Sequence, residues 1–323
     1  MKDIIIVGTS KAGFLHFKSY NKLNNVGKIF FTDIKENVSN KNIKIQKVYK
    51  SIMDILFQNN LNSKDVIVDI CTPKEEFYNI INQCISLGIN NIIVEKPFIA
   101  SKEFFKKYPK LNILMIQNYL YSNIINEIKK KIELNNLKIK MIYTNFSKNR
   151  INDSISRRGM SKNNTQNFEI EIPHQIYLVD YILGESNKKE ILFKEQKDFE
   201  IDNICIENHG YGKIILEYDD KIVIHESDLV TNNMIKEITI VCDEGIVIKG
   251  QFILYDKDLN KIKNGKVVIQ KYQNIIWENE FKEDDNMYYC LKEYYQNLNN
   301  IDIPRKYRDR ILEFSNIFRK IIE

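Results

Sequence analysis

The feature that most limits the fold of this chain is the alternation of apolar runs with helix-like segments over its first 120 residues. The run Asp3–Val7 is almost continuously apolar, as expected for a strand buried on both faces, and Gly13–Leu23 after it has a helical pattern. Further strand-like runs occur at Lys28–Thr32, Asp65–Cys71 and Asn91–Val94. Strands that alternate with helices predict an α/β fold with a parallel, doubly wound sheet of the Rossmann type.

The second part of the chain has a different pattern, in which strand-like segments follow one another through short turns. Turns are predicted at Asp219-Asp220 and at Asn264-Gly265. Local pairing of this kind favours a largely antiparallel sheet. We therefore predict two domains: a dinucleotide-binding Rossmann domain over residues 1–120, and an α+β domain for substrate binding and oligomerisation over residues 121–323.

Composition excludes several classes of function. The net charge of +5 is small and its 48 basic residues are dispersed, so we expect no nucleic-acid partner. No apolar stretch approaches the roughly 20 residues of a membrane span, so we expect no membrane partner. The five cysteines include no C-x-x-C pair, which argues against disulfides and a metal site and predicts a cytoplasmic protein.

The segment Val7–Gly13 is a candidate nucleotide-binding turn between the first strand and the first helix. Gly8 and Gly13 stand at the outer positions of a G-x-G-x-x-G pattern, with Thr9 between them and Ser10 in place of the middle glycine. Such a turn presents backbone N–H groups and a helix N-terminus to a pyrophosphate. The alternative is an ordinary turn from strand to helix.

Asp33 follows the second predicted strand. A carboxylate at that place can accept hydrogen bonds from the hydroxyl groups of an adenosine ribose, and it would repel a 2′-phosphate. We therefore predict a preference for NAD(H), while NADP(H) is not excluded because Lys35 is close in sequence. The alternative is an exposed aspartate in a turn.

Two more predicted strands end in residues that suit a ligand site. Thr72-Pro73 follows the strand Asp65–Cys71, and Glu95-Lys96-Pro97 follows Asn91–Val94 directly. Open α/β sheets bind ligands at the carboxyl ends of their strands, where a lysine can donate to a substrate oxygen. The alternatives are a plain helix start and a surface lysine that closes a strand.

His174 is the candidate acid–base residue of the second domain. The unperturbed pKa of histidine allows proton exchange near neutrality. Tyr177 lies one helical turn further on and can share the proton network of His174. The other histidines, His16, His209 and His225, have no comparable context and are interpreted as structural.

Arg157 and Arg158 lie in a polar loop that precedes His174. Paired arginines can hold a carboxylate or a phosphate in bidentate fashion, which would suit an acidic substrate or a nucleotide sugar. The alternative is a solvated loop without such a role.

Taken together, these fragments resemble the Gfo/Idh/MocA family of nicotinamide-dependent oxidoreductases over nearly the whole chain. The resemblance implies a cofactor site lined by Gly8, Thr9, Ser10, Gly13, Asp33, Thr72, Pro73, Glu95 and Asn118. It implies that Lys96 and His174 are catalytic and handle a proton. We expect the substrate site to be lined by Lys96, Tyr119, Arg157, Arg158, His174 and Tyr177.

The resemblance further implies an enzyme that transfers a hydride to or from a sugar, a polyol or a sugar derivative, including nucleotide sugars. It implies a homodimer or homotetramer formed through the sheet of the second domain. Many relatives carry aspartates where this chain has Ile170 and Tyr177. Two alternatives therefore stay open: a catalytically silent NAD-binding regulator or scaffold, and a reductase of imines or oxo-acids in a biosynthetic pathway.

Overall fold

The computed structural model describes seven segments of the chain. They are residues 1–34, 47–152, 166–184, 189–201, 204–256, 260–298 and 303–323. The chain divides into two compact units, Met1–Ile116 with Met287–Asn316, and Gln117–Asn286 with Ile317–Glu323.

The first unit contains, in its described part, a sheet of six strands with helices between them. The strands are β1 Asp3–Val7, β2 Ile29–Thr32, β3 Val48–Tyr49, β4 Val66–Ile70, β5 Asn91–Val94 and β6 Asn112–Met115. The helices early in the chain are α1 Lys11–Tyr20, α2 Ile52–Gln58, α3 Phe77–Ser86 and α4 Lys102–Lys107.

All strand pairs of this sheet are parallel, in the order β3-β2-β1-β4-β5-β6. This is the strand order of dinucleotide-binding α/β folds, in which β1 and β4 are central. The residues Ile4, Ile5 and Ile6 of β1 are completely buried because the strand is covered on both faces. The predicted parallel, doubly wound sheet is confirmed.

The second unit contains helices α5 Asn123–Leu134, α6 Asn167–Ile170 and α7 Ile172–Leu183. Its strands are β7 Ile139–Ser147, β8 Lys189–Gln196, β9 Phe199–Ile201, β10 Ile204–Ile206, β11 Tyr211–Tyr218, β12 Lys221–Asp228, β13 Ile235–Cys242, β14 Ile246–Gln251, β15 Leu254–Tyr255, β16 Lys261–Lys263, β17 Gly265–Lys271 and β18 Asn274–Phe281. Eight of them form one sheet in the order β18-β17-β14-β13-β7-β12-β11-β8. In it the pair β7 and β12 is parallel and the other pairs are antiparallel, which confirms the predicted, largely antiparallel sheet.

The last two helices, α8 Asn286–Gln296 and α9 Ile303–Ile322, lie mostly in the first unit, although the sequence analysis placed the whole of 121–323 in the second domain. The hydroxyl of Tyr294 in α8 donates to the backbone oxygen of Asn112 at 2.8 Å. The hydroxyl of Ser315 in α9 accepts from the backbone N–H of Ala100 at 3.0 Å. Residues 287–316 therefore join the first unit because their buried face packs against β5, β6 and the segment between them.

The predicted turns had different outcomes. Asp219-Asp220 joins β11 to β12 as predicted. The prediction at Asn264-Gly265 was wrong, since β16 pairs with β15 and β17 pairs with β14 and β18. Tyr272 and Gln273 make the hairpin turn between β17 and β18, with φ of 47° and 75°.

Helix α7 packs on the central strands of the eight-stranded sheet. The Gln175 side chain accepts from the Thr144 hydroxyl on β7 at 2.6 Å and donates to the backbone oxygen of Glu226 on β12 at 3.0 Å. These buried hydrogen bonds hold the start of the helix, and with it His174, against the sheet. No helix in the described part of the chain has both the length and the apolar character that a membrane span requires.

Candidate functional site

The turn after β1 requires glycine at both of its outer positions. Gly8 has a φ of +105°, and a Cβ there would lie 2.7 Å from the backbone oxygen of Cys71. A Cβ on Gly13 would lie 2.2 Å from the backbone oxygen of Gly8. The chain thus makes the tight turn and the close packing of helix on strand that the outer glycines of a dinucleotide fingerprint provide.

The N-terminus of α1 lacks a side-chain cap from Ser10, which occupies the N-cap position. The Ser10 hydroxyl donates instead to the backbone oxygen of Cys71 at 3.2 Å. The hydroxyl oxygen of the adjacent Thr72 is buried and has no hydrogen-bond partner among the described residues. A helix N-terminus favours an anion, and a buried hydroxyl without a partner favours a polar ligand.

Asp33 lies at the carboxyl end of β2 and contacts the turn. Its Oδ2 atom accepts from the backbone N–H of Thr9 at 2.8 Å and from the Thr9 hydroxyl at 2.5 Å. The carboxylate is therefore beside the turn, where the ribose of a dinucleotide would be recognised. Lys35 lies outside the described residues.

Glu95 belongs to a buried network that the sequence analysis missed. The Nδ1 atom of His16 lies 2.9 Å from Oδ2 of Asp69, and its Nε2 atom lies 3.1 Å from Oε1 of Glu95. Tyr20 donates to the same Asp69 oxygen at 2.8 Å. The second oxygen of Glu95 accepts from the backbone N–H of Lys96 at 3.2 Å. An imidazole therefore bridges two carboxylates directly behind the candidate catalytic lysine.

The charges of this network stabilise one another. Burial alone would lower the pKa of His16, but the Asp69 carboxylate raises it well above the usual value. Burial alone would raise the pKa of Glu95, but its contact with His16 lowers it. The structure thus favours an imidazolium that keeps Glu95 ionised.

His16, Asp69 and Cys71 have side chains that could hold a metal ion, with ligand atoms within 4.8 Å of one another. They are the one such group in the described part of the chain. Metal binding would need a thiolate and a neutral imidazole. Burial raises the pKa of the Cys71 thiol, and His16 is held as a cation, so the group suits proton sharing better than metal binding.

We expect two of the buried histidines, His16 and His225, to have opposite effects on the pH dependence of stability. The contribution of His16 should be complete below about pH 6.5 and should fall at higher pH by up to about 1.4 kcal/mol per pH unit, because only the native state keeps the proton. Burial lowers the pKa of His225 to about 3, so its contribution should fall as the pH drops below about 6.5. Unfolding free energies of wild type, His16→Gln and His225→Gln between pH 5 and 9 measure both effects. An identical loss in His16→Gln at pH 6 and pH 9 would contradict the charged imidazole.

Four of the predicted site residues meet in the second unit. The Tyr177 hydroxyl lies 2.8 Å from Nδ1 of His174, which confirms the predicted contact, and it donates to Oδ1 of Asn118 at 3.3 Å. The backbone N–H of Tyr119 donates to that hydroxyl at 3.4 Å, and the rings of Tyr119 and His174 lie 5.0 Å apart, edge to face. The Asn118 amide is oriented by its bond to Asn286 at 3.0 Å. A proton on His174 can therefore be exchanged with a hydroxyl held in place from three sides.

A cationic cluster around the buried Glu171, next to these residues, was not predicted. Glu171, which is 1% exposed, directly precedes α7, and its Oε1 atom lies 2.5 Å from Nζ of Lys148 and 3.2 Å from Arg150. Lys236 on β13 approaches its other oxygen at 4.0 Å, and its ammonium contacts the Tyr119 hydroxyl. Burial alone would raise the pKa of Glu171, but the three cations hold it well below its usual range. The basic residues come from two separate segments of the chain, so no sequence motif joins them.

The remaining predicted residues are placed as follows. Lys96 directly follows Glu95 at the end of β5, and its peptide bond to Pro97 is cis. Ile170, which replaces an aspartate of the resembled family, is buried in α6. Arg157 and Arg158 lie outside the described residues.

This chain matches known proteins in structure but not in sequence. No protein-family model and no curated protein sequence matches it. KijD10, a 3-ketoreductase from Actinomadura kijaniata solved with TDP-benzene and NADP, is similar with a TM-score of 0.77 and 9% identity, over 99% of this chain and 96% of that one. GenD2 from gentamicin A biosynthesis, solved with NAD, has a TM-score of 0.74 and 12% identity, over 98% and 92% of the two chains.

A dehydrogenase from Clostridium difficile, MviM, is similar with a TM-score of 0.68 and 14% identity, over 99% of this chain and 98% of that one. These likenesses extend over nearly the full length of both chains in each pair. They show that this chain has the fold of these oxidoreductases, a Rossmann-type sheet followed by a domain with a largely antiparallel sheet.

Proposed function

We propose that this protein is an NAD(H)-dependent oxidoreductase that acts on a sugar, a polyol or a sugar derivative, including nucleotide sugars. The observation that carries the proposal is the turn of Gly8 and Gly13, with Asp33 beside it, at the carboxyl edge of a sheet with the dinucleotide-binding strand order. It is supported by structural neighbours that bind NADP or NAD and that include a 3-ketoreductase.

The residues of the first unit fit a dinucleotide. Gly8, Thr9, Ser10 and Gly13 would hold the pyrophosphate at the N-terminus of α1, and Asp33 would accept from the adenosine ribose. The buried hydroxyl of Thr72 offers a polar contact, and Pro73 and Glu95 complete the proposed set in this unit. Asn118, which belongs to the second unit, is a further residue proposed to contact the cofactor. When bound, the nicotinamide supplies or accepts the hydride.

Two residues would manage the proton that accompanies the hydride. Lys96 donates to the reacting oxygen of the substrate, with Glu95 and His16 fixing the backbone next to it. His174 exchanges a proton with the substrate, and its hydrogen bond to Tyr177 fixes the orientation of its ring. Tyr119, Arg157 and Arg158 are the further residues proposed to contact the substrate.

We expect NADH to bind more tightly than NADPH, because the Asp33 carboxylate would repel a 2′-phosphate. Dissociation constants from cofactor fluorescence measure this, and Asp33→Asn should narrow the difference by removing the charge. NADH oxidation is then followed against a panel of keto-sugars, nucleotide keto-sugars, imines and oxo-acids. Tighter binding of NADPH by the wild type would overturn the role of Asp33.

A second candidate function is a nucleotide-binding regulator or scaffold with this fold. It is favoured by Ser10 in place of the middle glycine and by the buried Ile170 in place of an acid. The same panel separates the two, because binding of NADH without turnover of any compound would favour the regulator. Turnover of imines or oxo-acids alone would instead assign the enzyme to that class of substrate.

The homodimer or homotetramer remains part of this proposal, as does the cytoplasmic location. Support for assembly through the eight-stranded sheet comes from its two edge strands. Exposed apolar side chains lie on β8, at Leu192 and Phe193, and on β18, at Ile275 and Ile276. Apolar surface of this kind is common where subunits meet.

A further inference from the structure

In the cationic cluster of Lys148, Arg150 and Lys236, the two lysines carry more positive charge than the Glu171 carboxylate between them balances. Within the described part of the chain, Glu171 supplies the one carboxylate within 4.0 Å of either lysine. The two ammonium groups therefore share a single negative charge, and the Arg150 guanidinium lies 3.2 Å from the same oxygen.

Solvent compensates this charge only in part. The side chains of Lys148 and Lys236 are 23% and 15% exposed, and Glu171 is fully enclosed. Burial lowers the pKa of Lys148 well below its usual value, and the nearby Arg150 cation lowers it further, while Glu171 offsets this only partly. A buried charge that is only partly compensated destabilises the folded protein, and a bound anion would relieve that destabilisation.

We propose that this cluster binds an anionic group of the substrate, a carboxylate or a phosphate. The inference rests on the proposed function, and it narrows the proposed substrates to those that carry a negative charge. Lysine ammonium groups and a guanidinium are the donors that recognise both kinds of anion.

The position of the cluster relative to the candidate acid–base residue supports a role in substrate binding. Glu171 stands one helical turn before His174, and the backbone N–H of His174 donates to its backbone oxygen at 3.2 Å. The Tyr119 hydroxyl contacts the Lys236 ammonium, while the ring of Tyr119 packs against the imidazole of His174. An anion held by the cluster would therefore be anchored close to the residue proposed to exchange the proton.

The cluster is also held in place before any ligand binds. The Lys236 ammonium lies 5.0 Å from the centre of the Tyr119 ring and 5.5 Å from that of Phe146, and cation–π contacts of this kind restrict its motion. Lys148 directly follows β7 and is tied to the buried Glu171. Groups that are ordered in advance lose less entropy when a ligand binds.

The experiment compares the binding of glucose, glucuronate and glucose 6-phosphate to the full chain by calorimetry at low ionic strength. These probes share a sugar ring and differ in charge, so the two anionic arms also separate a carboxylate from a phosphate. We expect at least one anionic sugar to bind about tenfold or more tightly than glucose. Lys148→Met and Lys236→Met should each remove about tenfold or more of that preference, the loss expected for a contact between charged groups.

Lys249→Met is the matched control, because it removes one positive charge from an exposed position on β14 of the same sheet. It should leave the preference unchanged. NADH binding is measured on every sample, since both lysines lie in the second unit and their methionine variants should bind NADH as the wild type does. Thermal unfolding of each variant identifies any that fails to fold, and in that case Lys148→Arg, which keeps the charge, should retain the preference.

The proposal is overturned if neither anionic sugar binds better than glucose. It is also overturned if folded Lys148→Met and Lys236→Met variants bind the preferred anionic sugar as tightly as the wild type does. Either result together with intact NADH binding would leave the proposed function standing. Preference for the anionic sugars without NADH binding would instead keep the anion site and reject the oxidoreductase.

Discussion

Replacement of Lys96 with methionine should lower turnover by at least about 100-fold while the dissociation constant of NADH stays nearly unchanged. A well-placed group that moves or holds a proton contributes roughly 10²–10⁴-fold to a rate. Methionine keeps most of the length of the side chain but cannot donate to a substrate oxygen. The measurement is kcat on the substrate found by the panel, together with NADH binding by fluorescence.

Lys102→Met is the control for Lys96. It makes the same chemical change six residues later, at an exposed position in the first turn of α4. It should leave both turnover and NADH binding unaltered. A Lys96→Met enzyme that keeps most of its activity would remove this lysine from the reaction, whatever the result for the cofactor.

Substitution of Gly13 by alanine should abolish detectable NADH binding at concentrations that saturate the wild type. The new Cβ would lie 2.2 Å from the backbone oxygen of Gly8, so the turn or the first helix must move. Overpacking of this kind costs about 1–3 kcal/mol of stability, and the displaced N–H groups would no longer meet a pyrophosphate. Fluorescence titration with NADH and urea unfolding measure the two effects.

Ser51→Ala separates loss of stability from loss of binding. The Ser51 side chain caps α2 by accepting from the backbone N–H of Asp54 at 3.0 Å, and its removal should cost about 1 kcal/mol without changing the turn after β1. NADH binding should therefore survive in Ser51→Ala and disappear in Gly13→Ala. Normal NADH affinity in Gly13→Ala would show that the turn is not a nucleotide site.

Much of the candidate site could be predicted from the sequence because its contacts are local or follow from strand order. His174 and Tyr177 meet since residues three apart share a face of a helix. Thr9 and Asp33 meet since both follow neighbouring parallel strands, whose carboxyl ends lie at one edge of the sheet. Both contacts depend on helical periodicity or strand order, which the sequence carries.

Other contacts could not be predicted because they join residues without a shared pattern. His16 was interpreted as structural because its sequence context gave no functional signal, yet its ring lies between carboxylates that belong to β4 and to the end of β5. Lys236 lies near Glu171 because β13 pairs with β7, on which the helix that follows Glu171 packs. The two turn residues of the hairpin between β17 and β18, Tyr272 and Gln273, are neither glycine nor asparagine, so they carry no turn signal.

The amino-acid sequence by itself determined the class of the fold and the two glycines of the turn, because hydrophobic period and backbone sterics act over a few neighbouring residues. The tertiary structure alone decided that α8 and most of α9 join the first unit, that His16 bridges Asp69 and Glu95, and that three cations surround Glu171. These contacts depend on which segments, far apart in the sequence, become neighbours when the chain folds. The charges around His16 and Glu171 are shielded from water, so each electrostatic contact there is stronger than the same contact between exposed residues would be.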